Sequence, residues 1–182
     1  ARRLYHRWRE GERGVPGLAD DYAFLVQGLL DLYEASGEPE GLDWAMELAE
    51  AALGLFADPG GGFYMTAEGH DARLLARVME DTDNVEPSAS SVLALSLLRL
   101  AALTGKDDLR SAAEAALKRF GPRMKETPAA APAMLCALDF ATGRPREIVI
   151  AAGKDAGAAE PFLRAVRLRL SPVQTLVAFD AL

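Results

Sequence analysis

Two short loops contain most of the side chains that could do chemistry in this chain. The first loop, residues 14–22, ends in Asp20, Asp21 and Tyr22. The second loop, residues 80–88, is denser, and its polar members include Glu80, Asp81, Asp83, Glu86 and Ser88. One polar oxygen is enough to cap the start of a helix, so the carboxylates outnumber the caps that two helices need. Paired carboxylates beside aromatic rings are typical of sites that bind or process sugars, where one acid donates a proton.

We therefore predict a carbohydrate site with Asp21 and Glu86 as its acid/base pair. The residues predicted to bind the substrate around that pair are His6, Trp8, Asp20, Tyr22, Arg77, Glu80, Asp83 and Ser88. The alternative interpretation of the same loops is structural. Asp20, Asp21 and Ser88 have side chains that cap helices, and acids near a helix start are favoured by the helix dipole.

Residues 5–12 precede the first loop and combine aromatic with basic side chains. His6 is a candidate acid or base because imidazole titrates near neutral pH. This segment either forms another wall of the site or is a solvated lead-in, since chain ends are often poorly ordered unless they are tied down.

An internal repeat indicates how these loops are positioned. Three apolar segments end in the same way, with a glycine eight residues after the first leucine, at Leu29 to Gly37, Leu97 to Gly105 and Leu135 to Gly143. Such self-similarity is typical of repeated helical hairpins. The offset between the first two copies aligns Asp20 with Ser88, so both acidic loops should lie at the same end of their hairpins and face one depression.

The apolar periodicity separates two classes of helix. The predicted inner helices, at 21–35, 89–103 and 128–142, are apolar nearly all round, which indicates burial on every side. The predicted outer helices, at 40–56 and 107–120, have one charged face. Alternating inner and outer helices predict a mainly α protein, a partial α/α toroid of helical hairpins over residues 1–143. We expect Trp44 and Cys136 to pack in its core.

Two β features complete the predicted fold. Residues 63–66 and 74–78 are predicted to pair as a short β-hairpin over the toroid face. Residues 144–182 are predicted to form a βαβ appendage packed on the toroid, with a buried strand at 147–152, a helix at 158–170 and a parallel strand at 174–179. In that helix, the side chains expected to face inward are Phe162, Leu163, Val166 and Leu170.

Composition limits the classes of function. The formal net charge is −7, which opposes binding to a phosphate backbone, so we expect no nucleic-acid partner. No apolar run is long enough for a membrane helix, and the cytoplasm is the default expectation. The single cysteine and two histidines show no metal-ligand spacing, and Gly60 to Gly62 follow a helix, unlike a phosphate-binding loop. We therefore expect neither a metal nor a cofactor.

Several motifs resemble one family. They are Pro16 to Phe24, Gly60 to Thr66, Asp83 to Ser91 and Glu147 to Ile150, in an order that matches over nearly the whole chain. These segments resemble the spermatogenesis-associated, thioredoxin-domain proteins and their bacterial counterparts. The resemblance implies an N-terminal thioredoxin-like domain joined to a six-hairpin toroid akin to glycosidases and N-acylglucosamine 2-epimerases, with this chain as the C-terminal part.

Two functions from different classes follow. In the first, the toroid binds or processes a carbohydrate. In the second, it is a non-catalytic scaffold that serves the thioredoxin-like domain and the remaining hairpins of a longer protein. Carboxylates grouped around a roomy cleft would favour the first function, whereas carboxylates used as caps beside an exposed apolar patch would favour the second.

Overall fold

The computed structural model describes residues 3–71, 73–153, 156–169, 171 and 173–179. The helices are α1 (Ala19–Ser36), α2 (Pro39–Phe56), α3 (Ala89–Thr104), α4 (Asp107–Glu126), α5 (Pro132–Thr142) and α6 (Glu160–Arg167). The strands are β1 (Tyr5–Arg9), β2 (Glu12–Pro16), β3 (Arg146–Ala151) and β4 (Gln174–Phe179). The protein is therefore mainly helical, with a short antiparallel hairpin and a small parallel sheet, as the sequence predicts at this level.

Two helical hairpins form the body of the protein, α1 with α2 and α3 with α4. Gly37 and Gly105 end α1 and α3 in the left-handed conformation, with φ of 80° and 72°. Glycine adopts this conformation at little cost, which explains the repeated ending. Gly143 ends α5 with φ of −69°, so the third copy stops its helix in a different way.

Helix α3 is the centre of the core. It packs against α1, α4 and α5. Every residue from Ala89 to Ala94 is buried, and because this run is longer than one helical turn, α3 is buried on all sides there. This confirms the predicted burial of α3 on every side. Helix α1 is different, because Phe24, Leu25 and Leu32 are exposed on one of its faces. Closure of the hairpins into a toroid stays a prediction.

An ion-pair cluster fixes α1 against α3. Arg99 on α3 contacts Asp31 at 2.8 Å and Glu34 at 3.0 Å, both on α1. Burial raises the pKa of the Glu34 carboxyl, while the Arg99 guanidinium lowers it. The cluster holds the two inner helices side by side and so fixes the relative positions of their first turns.

The predicted hairpin at 63–66 and 74–78 is wrong. The β-hairpin instead joins β1 to β2, in a register that pairs Tyr5 with Pro16 and Arg9 with Glu12. The backbone around Phe63 is engaged elsewhere: its N–H donates to Ser90 Oγ at 3.1 Å, and the Ser90 hydroxyl donates to the Phe63 carbonyl at 3.3 Å. Phe63 also forms an isolated bridge with Ala57, so its main chain is held by helix ends instead of a strand.

The C-terminal unit has the predicted connectivity but less burial than predicted. Strands β3 and β4 pair in parallel, from Arg146 beside Gln174 to Ala151 beside Phe179, and α6 lies between them in sequence. The prediction that β3 is buried is wrong, since Val149 is exposed, and Phe162 on α6 is exposed as well. The reason is that β4 packs on α1 and α3, which leaves the other side of the unit open. Leu170 lies outside the described residues, and a domain boundary at 143/144 stays a prediction.

Two residues predicted for the core lie at the surface. Cys136 is exposed because α5 buries the face formed by Met134, Ala137 and Phe140. Trp44 on α2 is half exposed, one position away from the buried Ala45. Both predictions failed because a single step along a helix turns a side chain by about 100°.

Within the part of the chain that the structure describes, no helix has both the length and the apolar content needed to cross a bilayer.

Candidate functional site

The first turn of α1 and the loop before α3 share a cleft of about 280 Å³. We call it the acidic cleft, and its lining residues are Asp20, Glu80, Asn84, Val85, Glu86 and Pro87. The two acidic loops therefore lie at the same end of the helical hairpins, as the repeat predicts. This end is the candidate functional site.

Asp20 is the carboxylate of α1 that lines this cleft. Burial raises its pKa, and the neighbouring charges of Glu80, Asp21 and Glu86 raise it further, against a smaller lowering by His6. Among the described residues, no lysine or arginine forms an ion pair with Asp20, Glu80 or Glu86. A carboxyl in these surroundings retains its proton to higher pH, as a proton donor requires.

Asp21 is used differently from Asp20, although the two are adjacent. Its Oδ2 accepts a hydrogen bond from the Leu18 backbone N–H at 2.8 Å. Both of its carboxylate oxygens lie 3.0 Å from His6 Nδ1 on β1. Asp21 therefore caps α1 and ties the β1–β2 hairpin to it, so residues 5–12 are not a loose chain end.

Two predicted binding residues hold the second loop in place. Ser88 is the N-cap of α3, and its Oγ accepts from the Ser91 N–H at 3.2 Å. Asp83 accepts from the Ser88 N–H at 2.9 Å with one oxygen and from the Ala133 N–H, in the first turn of α5, at 2.8 Å with the other. These oxygens satisfy backbone donors at the starts of two helices, which is the structural interpretation of the loop.

The aromatic side chains predicted to stack on a sugar lie in contrasting environments. Tyr22 is 1% exposed, its hydroxyl accepts from the Leu4 N–H at 2.9 Å, and its ring meets Phe56 edge-on. This packing leaves Tyr22 no ring face for a ligand. Trp8 on β1 is exposed, on the same strand as His6. Alternate residues of a strand share a face, so Trp8 and His6 project to the same side of the hairpin.

Arg77 is not among the residues that line the acidic cleft. Its Nε donates to the Thr66 carbonyl at 2.8 Å, and its Nη2 donates to the Leu55 carbonyl at 3.0 Å. The guanidinium also stacks over the Tyr64 ring at 4.1 Å from the centroid. Arg77 thus fastens the 57–79 loop to the end of α2.

Sequence reasoning missed part of the cleft lining. Asn84, Val85 and Pro87 belong to the second loop, and loop membership alone could have identified them. Asp21 makes only the returning half of a capping box, by accepting from the N–H of the N-cap Leu18. Leucine has no side-chain oxygen, so the sequence signature of that motif is missing and could not have assigned Asp21 to capping. No group of three or more histidine, cysteine or acidic residues in the described ranges is arranged to hold a metal ion.

The fold and the cleft define a protein of helical hairpins in which carboxylates lie together at the N-terminal ends of α1 and α3. No protein-family model matches the chain. The chain is 39% identical over 165 residues to spermatogenesis-associated protein 20 of Mus musculus, and the match covers 90% of this chain and 21% of the relative. The same protein of Homo sapiens gives the same identity and coverage.

A more distant relative extends this comparison. An uncharacterised protein of Caenorhabditis elegans is 36% identical over 129 residues, which is 71% of this chain and 17% of the relative. Nine tenths of this chain is thus similar to one part of spermatogenesis-associated protein 20. The chain spans about a fifth of the length of the curated mammalian relatives it matches.

Proposed function

We propose that this chain is part of the carbohydrate-binding module of a longer polypeptide, a toroid of helical hairpins that accompanies a thioredoxin-like domain. The acidic cleft binds a sugar and positions it for proton transfer. The observation that carries the proposal is the state of Asp20, a partly buried carboxyl with a raised pKa beside Glu80 and Glu86.

The proposed roles follow from which carboxylates are already engaged. Asp20 takes the place in the acid/base pair that the sequence predicts for Asp21, because Asp21 is engaged by Leu18 and His6. Glu86 is the second carboxylate, and Glu80 accepts hydrogen bonds from sugar hydroxyls. A raised pKa on one acid beside an ionised partner is the arrangement that acid/base chemistry on glycosides uses.

Direct binding measurements test this proposal. The chain is titrated with a panel of neutral, amino and acidic monosaccharides and disaccharides, and chemical shifts of backbone amides are followed by NMR. We expect shifts confined to residues 18–22 and 80–88, and we expect Asp20→Asn to weaken binding at least tenfold.

Asp43→Asn is the matched control, because Asp43 is an exposed aspartate on α2, remote in the chain from both loops. Its binding should equal that of the unsubstituted chain. A panel that produces no localised shifts, or equal weakening by both substitutions, would rule out a sugar site at the acidic cleft.

A non-catalytic scaffold is the second candidate function. It is favoured by the engagement of Arg77, Asp83 and Ser88 with the backbone of the chain itself. In this case the module presents a partner to the thioredoxin-like domain of the longer polypeptide. Loss of partner binding on substitution of surface residues outside the cleft, together with a negative sugar panel, would support it.

A further inference from the structure

One face of α1 is apolar and uncovered. Phe24, Leu25 and Leu32 are 37%, 40% and 55% exposed, and Gly28 lies between them with open space where a side chain would be. At about 100° per residue, these positions fall on one side of the helix. We call this surface the α1 face.

The same positions are buried in the next copy of the repeat. Gly37 and Gly105 set the offset, and the residues of α3 equivalent to the α1 face are Val92, Leu93, Ser96 and Leu100. Val92 is 5% exposed, Ser96 is 1% exposed, and Leu93 and Leu100 are 0% exposed. The difference arises because α3 has an inner helix on each side, α1 and α5, whereas α1 packs against only one inner helix among the described residues.

The α1 face also continues onto neighbouring apolar surface. Leu25 lines a cleft of about 330 Å³ together with Arg3, Leu4, Trp44 and Leu48. Contiguous exposed apolar surface of this kind marks an interaction site more often than scattered exposed leucines do. Gly28 in its middle leaves room for the close approach of another helix, whose axis would lie about 8–10 Å away.

We propose that the α1 face is the docking surface for another inner helix of the same repeat, contributed by a segment of a longer polypeptide outside these 182 residues. The occupant is identified by the chemistry of the repeat itself. It is a helix with a stripe of leucine and alanine, which covers α1 as α1 and α5 cover α3. The relatives are about five times as long as the matched region, so a polypeptide of that size has ample chain to supply it. This inference rests on the repeat of helical hairpins in the proposed function and is independent of what the acidic cleft binds.

Cysteine labelling in the longest natural polypeptide that contains this chain tests the inference. Leu32→Cys places a thiol in the α1 face, and Leu74→Cys places one at an exposed leucine in the 57–79 loop. Each variant is alkylated with iodoacetamide in its native state, and labelling is read from the peptide that contains the site by mass spectrometry. Peptide-level detection keeps other cysteines from confusing the result.

We expect the thiol at position 32 to react at least tenfold more slowly than the thiol at position 74 in the longer polypeptide. In the 182-residue chain alone, the two rates should be within about threefold of each other. Equal rates in the longer polypeptide would overturn the inference. Protection of position 32 in the short chain that increases with protein concentration would also overturn it, because a second copy would then be the occupant.

If Leu32→Cys prevents folding of the longer polypeptide, hydrogen exchange of the unsubstituted protein replaces the labelling. Amides of α1 should then be at least tenfold more protected in the longer polypeptide than in the short chain. Unchanged protection would contradict a covering helix.

Discussion

Replacing Asp83 tests whether its carboxylate holds the 80–88 loop in place or is available to bind a ligand. Each of its carboxylate oxygens accepts a backbone N–H, from Ser88 at 2.9 Å and from Ala133 at 2.8 Å. A hydrogen bond to a charged acceptor contributes about 1.5–3 kcal/mol, and the lower value applies at a partly exposed site. The two bonds together should therefore make Asp83→Ala cost about 3 kcal/mol of the free energy of unfolding. For a chain of this size the melting temperature should fall by about 6–12 °C.

Two further variants make this prediction quantitative. Asp83→Asn retains one acceptor oxygen and should lose about half as much stability. Asp81→Ala is the matched control, because Asp81 forms an exposed ion pair with Arg123 at 2.6 Å, and such pairs contribute about 0–1 kcal/mol. Urea unfolding gives the free energies and calorimetry gives the melting temperatures. If Asp83→Ala costs no more than Asp81→Ala, the loop is not held by Asp83, and its carboxylate is available to a ligand.

Three other predictions concern single sites. Burial is the main cause that raises the pKa of Asp20 above its ordinary value of 3.8, so the folded state loses stability as the pH rises from 3.8 through the raised value. Asp20→Asn removes this penalty. The substitution should therefore stabilise the chain at pH 7 and have no such effect below about pH 4. Urea unfolding at both pH values measures this, and equal effects would contradict it. Tyr22→Phe removes an acceptor that anchors the β1–β2 hairpin, at a cost of about 0.5–1.5 kcal/mol, and hydrogen exchange should accelerate in residues 5–16 more than in α1. Gly61 has φ of 96°, and an added Cβ would overlap a backbone oxygen of α4, so Gly61→Ala should cost about 3 kcal/mol or more in thermal unfolding. Gly54→Ala, where nothing lies within 4 Å, should instead gain about 0.5–1 kcal/mol.

The helices could be predicted from sequence because their signals are local and consistent. The apolar run of α3 and the glycines after α1 and α3 indicate the helical period and the helix ends without reference to the rest of the chain. The β-hairpin could not be predicted in the same way. Strands β1 and β2 are exposed and carry charged residues, so they lack the alternation of apolar and polar residues that marks a half-buried strand.

The candidate site was predictable in location but not in detail. The repeat offset places Asp20 and the second loop at one end, where the structure brings them together. The choice between Asp20 and Asp21 depends on which carboxylate turns back to the helix start, and adjacent residues of the same type carry no such information. The burial of Tyr22 likewise depends on Leu4 and Phe56, which are distant in sequence.

Asp83 bonds to both Ser88 and Ala133, so the 80–88 loop is fastened to the starts of α3 and α5. Lengthening or shortening this loop by a residue would displace the first turn of α5 as well as that of α3, and with them the walls of the acidic cleft. Natural variation in loop length should therefore be rare in the 80–88 loop. It should be tolerated at the opposite end of the hairpins, in the turns near Gly37 and Gly105. A ligand that moved this loop would have to move the first turns of α3 and α5 with it, because Asp83 is bonded to both.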